Sequence, residues 1–172
     1  SIDYFKAVFN QEKSINWKET AVNQLNYAAF NDYQLIILNA LNDISSGLAL
    51  ALEQFIKEGR SLLVLPGENI NLKNYSAFLN AIQSNVYTAP FTTVKSAKSL
   101  NLKERLFQSV FQKIPKNLDL PQIYAGYKTS QYSQRGETPL ITLEDGSSML
   151  SQYKVGEGTL YLASSNLSTQ QS

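Results

Sequence analysis

Four consecutive apolar residues, Leu35-Ile36-Ile37-Leu38, break the mixed polar pattern around them. A half-exposed strand alternates apolar and polar side chains, whereas a continuous run suits a strand covered on both faces. Asn39 to Asp43 then carries polar groups suited to a loop, with Asp43 or Ser45 placed to cap a helix. From Ile44 the apolar positions recur at helical spacing: Ile44, Leu48, Leu52, Phe55 and Ile56 share one face, while Gln54, Lys57 and Glu58 fall largely on the other. Gly59 follows the last periodic residue, where a left-handed C-cap favours glycine. Leu62 to Leu65 is a second unbroken apolar run, ending at Pro66-Gly67. Neither run is long enough for a buried helix. Two short strands joined by one helix predict a right-handed β-α-β crossover with parallel strands.

The rest of the chain is read from the same two periods. Tyr4 to Phe9 predicts a short amphipathic turn, Ile15 to Val22 a loosely alternating strand with Trp17 as its largest core side chain, and Leu25 to Phe30 a helical turn. Leu72 to Ile82 predicts a second amphipathic helix, with Leu72, Tyr75, Phe78, Leu79 and Ile82 on one side. The Thr/Lys/Ser-rich segment from Pro90 to Ser99 reads as strand or loop, and a short helix is expected near Glu104–Gln112. Ile123 to Thr129 alternates as one strand. Leu140–Leu143, Met149–Lys154 and Thr159–Ala163 predict a meander turned by Asp145-Gly146 and Gly156-Glu157-Gly158.

The segments YQLIILNALNDIS and LALALEQFIKEGRSLLVLPG resemble the class I glutamine amidotransferase-like fold, and more narrowly the amidotransferase-like domain of Bacteroidetes membrane proteins with a BatA-type (aerotolerance regulator) N-terminal region. That family shows a hydrophobic strand ending in Asn, a helix ending in a Gly pair, and an LLVxPG segment. Here Gly59-Arg60 stands where the pair is usual. PLITLEDGSSMLSQYKVGEGTLYLASSNLS is similar to the family's C-terminal region, so the likeness covers most of residues 30–168. It implies a flavodoxin-like, mostly parallel α/β sheet flanked by helices, with a C-terminal antiparallel meander. It also implies one domain over residues 1–172, held in a longer membrane-anchored protein on the extracytoplasmic, periplasmic side of the inner membrane. Only Ser1-Ile2 precedes the first helical turn, and a polar tail closes the sequence, which fits a domain excised from such a protein.

Composition narrows the chemistry more than the architecture. The 172 residues include no His and no Cys. A class I amidotransferase needs a Cys thiolate formed beside a His, and the nearest counterpart of its nucleophile turn is Pro66-Gly67-Glu68, so glutamine hydrolysis by that route is excluded. Ser-His-Asp hydrolysis and zinc held by His or Cys fall with it. Ser151 and Lys154 match an S-x-x-K spacing, but on a predicted strand residues three apart face opposite ways. Gly156-x-Gly158 lacks a third glycine, no Walker A motif is present, and Glu144-Asp145 reads as a turn rather than a metal site. No cofactor or metal is expected. Fifteen basic against fourteen acidic residues leave a net charge of +1, with no basic run to bind nucleic acid. No apolar run approaches the roughly 20 residues of a membrane span.

Ligands of open α/β sheets bind at the carboxyl ends of the parallel strands. That edge gathers Asn39, Asn42 and Asp43 from one strand and Gly67, Glu68 and Asn69 from the next, amides and carboxylates able to bind a sugar or peptide or simply to cap helices and loops. Asp43 and Glu68 are the one carboxylate pair to test for acid–base work. Tyr124, Tyr127, Tyr132 and Arg135 form a second candidate, of interface composition. The favoured expectation is a non-catalytic interaction domain whose partners are other envelope proteins or neighbouring domains of its own chain. A carbohydrate- or small-ligand-binding module around Asn42 and Glu68 is the alternative.

Overall fold

The computed structural model describes residues 16–101, 122–131 and 135–166. Strands β1 (Leu35–Asn39) and β2 (Ser61–Leu65) pair in parallel, in register Ile36 with Leu62 and Leu38 with Val64. Helix α1 (Ser46–Lys57) joins them. Ser45, rather than Asp43, is its N-cap, accepting from the Leu48 N–H at 3.2 Å. Gly59 turns the chain out of the helix with φ +107°. Helix α2 (Leu72–Ala81) follows, capped by Asn71, whose side chain accepts from the Asn74 N–H. Both helices bury the faces their periodicity marks: Leu48, Leu52, Phe55 and Ile56 on α1, Tyr75, Phe78 and Leu79 on α2. Each such side chain contributes about 1.5–3 kcal/mol.

The remaining strands are β3 (Tyr87–Phe91), β4 (Lys95–Leu100), β5 (Gln122–Ile123), β6 (Gly126–Thr129), β7 (Thr138–Leu143), β8 (Ser148–Val155) and β9 (Gly158–Ala163). They assemble into a seven-stranded sheet of order β1-β2-β9-β8-β7-β4-β5 and a separate β3–β6 ribbon. Only β1–β2 and β2–β9 are parallel; β9–β8, β8–β7, β7–β4 and β4–β5 all run antiparallel. The expected flavodoxin-like, mostly parallel sheet flanked by helices is therefore wrong. The antiparallel series from β9 to β5 is most of the sheet, and the β-α-β unit is its margin.

The physical cause lies at β9. Its start packs under the C-terminus of α1, where the Glu157 N–H donates to the Lys57 carbonyl at 3.2 Å and the Thr159 N–H to the Arg60 carbonyl at 3.1 Å. Gly158 has room for nothing else: a Cβ there would run into the carbonyl oxygens of Ile56 and Arg60. This close approach inserts β9 beside β2 and carries the whole hairpin series with it.

Other expectations are corrected locally. Residues 16–21 form no strand, and Val22–Gln24 is a 3-10 turn, followed by a second over Tyr27–Asp32. Trp17 is only partly buried, against the sheet face opposite the helices. Ile123 to Thr129 is two strands in different sheets, not one. Tyr4–Phe9 and Glu104–Gln112 lie outside the described residues.

One apolar cluster fills the space between the sheet and the two helices, with Leu62 and Val64 pointing into it; another lies on the opposite face and takes Leu63 and Leu65. That accounts for the unbroken run in β2, an interior strand. The similar run in β1 has a different fate: β1 is an edge strand, and Leu35, Ile36 and Ile37 stay partly exposed.

Candidate functional site

The parallel pairing brings the carboxyl ends of β1 and β2 together, and with them the predicted residues. The Ala40 N–H donates to the Leu65 carbonyl at 2.9 Å, and Gly67 sits against Ala40 so closely that a Cβ would lie 3.1 Å from its carbonyl oxygen. Ala40 itself has φ +57°. Asn39, Asn42, Asp43, Glu68 and Asn69 are exposed around this junction, and Gly67 is buried. Asp43, through its carboxylate, and Asn42, through its main-chain carbonyl, serve the loops. Asn71 Nδ2 donates to Asp43 Oδ1 at 2.9 Å, and the Asn71 N–H to the Asn42 carbonyl at 2.8 Å. Asn74 clasps the main chain of Ile44, accepting its N–H at 2.7 Å and donating to its carbonyl at 2.8 Å. These bonds pin the start of α2 to the β1–α1 loop.

Three buried tyrosines, not singled out as a set by the sequence, close the same end from inside. Tyr75 of α2 donates to the Leu41 carbonyl at 2.6 Å, just past β1. Tyr127 of β6 donates to the Glu68 carbonyl at 2.6 Å, just past β2, and accepts from the Ile70 N–H at 3.2 Å. Tyr87 of β3 donates to the Ala163 carbonyl at 2.6 Å, at the end of β9. Their rings lie in sequence, Tyr75–Tyr87 at 6.0 Å and Tyr87–Tyr127 at 5.6 Å between centroids. Each of the three parallel strands thus ends under one phenol. Burial, first, and then the neighbouring tyrosines push the ionisation of Tyr75 and Tyr87 well up, so the hydroxyls stay neutral donors at physiological pH. The β3–β6 ribbon that supplies two of them is held against β9 by the Tyr127 N–H, which donates to the Ser164 carbonyl at 2.7 Å. Gly126 permits that contact, since a Cβ would strike the same oxygen.

The second candidate set disperses. Tyr127 is buried in the plug, Tyr124 is exposed, Tyr132 lies outside the described residues, and Arg135 donates to the Ser84 carbonyl at 3.1 Å and to Asn80 Oδ1 at 3.3 Å. Ser151 and Lys154 sit on β8, the serine buried and the lysine exposed. Ser151 instead donates to Glu137 Oε1 at 2.5 Å, and Asn85 Nδ2 donates to Glu137 Oε2 at 3.1 Å. This group ties the start of β7 to β8 and to the segment that follows α2. Hairpin arithmetic about the Asp145-Gly146 turn places residue 137 near 151–153, because Pro139 pairs with Ser151; nothing local points to Asn85.

Asp145 forms the predicted turn. It accepts from Lys95 Nζ at 2.6 Å and from the Ser147 N–H at 3.0 Å, and the bonds from Lys95 and then Ser147 hold its carboxyl below the usual carboxylate range. A depression of about 210 Å³ lined by Thr93 to Ser96, Glu144 and Asp145 lies here, on the antiparallel half of the sheet. Among the described residues, no three His, Cys, Asp or Glu side chains gather to hold a metal. None of the helices there is long and apolar enough to cross a membrane.

No family model matches the chain, and no curated protein does. Solved structures do match. A cytoplasmic protein of Salmonella typhimurium LT2 superposes with a TM-score of 0.68 at 13% identity, over 99% of this chain and 78% of that one. A putative ThuA-like protein from Bacteroides uniformis gives 0.64 at 10% identity, over 95% and 72%. The β-galactosidase of Rahnella sp. R3 gives 0.64 at 14% identity, over 95% of this chain but 24% of the enzyme, and the exo-β-1,4-mannosidase of an Opitutaceae bacterium gives 0.54 at 12%, over 79% and 21%. The chain therefore spans about a fifth to a quarter of the glycosidases it matches. These likenesses define the class by fold alone: a mixed, mostly antiparallel sheet with a short parallel margin, in place of the flavodoxin-like amidotransferase sheet.

Proposed function

We propose that the chain is a non-catalytic interaction domain, a module that positions or joins other protein parts. One observation carries this reading. The strand ends where a sheet of this kind would take a ligand are filled by the domain's own Tyr75, Tyr87 and Tyr127, and Asp43, Asn71 and Asn74 beside them are engaged in loop bonds. With neither His nor Cys in the chain, the usual nucleophile–base pairs have no members. A fold that matches about a fifth to a quarter of large glycosidases also suits a module within a longer protein. The resemblance of residues 30–168 to envelope proteins supports placing that protein at the cell envelope, with the domain outside the cytoplasm. An alkaline phosphatase fusion in the full-length protein, active only outside, checks the placement.

The purified domain is to be assayed for hydrolysis of glutamine and of nitrophenyl glycosides, and titrated calorimetrically with oligosaccharides. No turnover and no saturable heat are expected. Turnover abolished by Glu68→Gln or Asp43→Asn would make it an enzyme instead, and binding lost in Asn42→Ala would make it a carbohydrate module.

A further inference from the structure

We draw no further inference here: the strongest candidate, the side-chain cluster of Glu137, Ser151, Asn85 and Tyr153 between β8 and the segment that follows α2, carries nothing beyond the tie already described, since its serine is only 2% exposed and the bonds from Ser151 and Asn85 to Glu137 are the ones that make that tie.

Discussion

Tyr127 uses its hydroxyl twice, donating to Glu68 and accepting from Ile70, at a site only 6% exposed. Tyr127→Phe keeps the ring and leaves a part-buried carbonyl and a buried N–H without their partner. A loss of about 1–3 kcal/mol follows, read from urea unfolding, with the secondary structure unchanged by circular dichroism. A cost near zero would mean that the phenols fill space without holding the loops. Glycines give the opposite contrast. At Gly146, φ is +83° and a Cβ meets nothing, so Gly146→Ala carries only the left-handed penalty of about 1–2 kcal/mol. At Gly158 the obstacle is the main chain of Ile56 and Arg60, neither of which can swing aside. Gly158→Ala should cost about 3 kcal/mol or more and detach β9 from β2, visible as lost amide protection across both strands.

Helix α1 shows what a local pattern can convey. Its apolar spacing, its C-terminal glycine and its place between two strands are all written within residues 35–65, and the structure follows them. Its cap was legible as one of two residues, and the choice fell to Ser45. Ser45→Ala should lower stability by about 1 kcal/mol, measured by thermal unfolding, while Asp43→Ala, which loses only an exposed bond to Asn71, should change it less. Strand β9 shows where the reading stops. Its residues were recognisable as a strand, but its partners were not, because the contact that places it joins Glu157 to Lys57 and Thr159 to Arg60 across about a hundred residues. Local alternation says nothing about such pairings, so a parallel sheet was inferred from a unit that proved to be its border. The strand-end residues were likewise found by position. What occupies that end was hidden, since Tyr75 and Tyr127 reach Leu41 and Glu68 from 34 and 59 residues away.

At the scale of the molecule, the buried phenols make stability depend on alkaline pH. Tyr75, Tyr87 and Tyr153 all ionise less readily in the folded chain than the ordinary value of 10.0, with burial as the leading cause in each. Below about pH 10 both states keep these protons, so their contribution is complete and constant. Above it the unfolded chain releases protons that the folded chain retains. The unfolded state then binds fewer protons, and folding weakens as pH rises. Each such tyrosine steepens the fall by about 1.4 kcal/mol per pH unit until its folded value is reached. Lysines lose charge over the same range, so the slope of the native protein alone would mix two causes. Tyr87→Phe separates them: it removes one phenol and no lysine. The variant should start less stable at pH 8, because the Ala163 carbonyl loses its donor, yet lose stability more slowly between about pH 10 and 11. Parallel curves for the two proteins would show that Tyr87 ionises as freely folded as unfolded, and the strand ends would then be open to water after all.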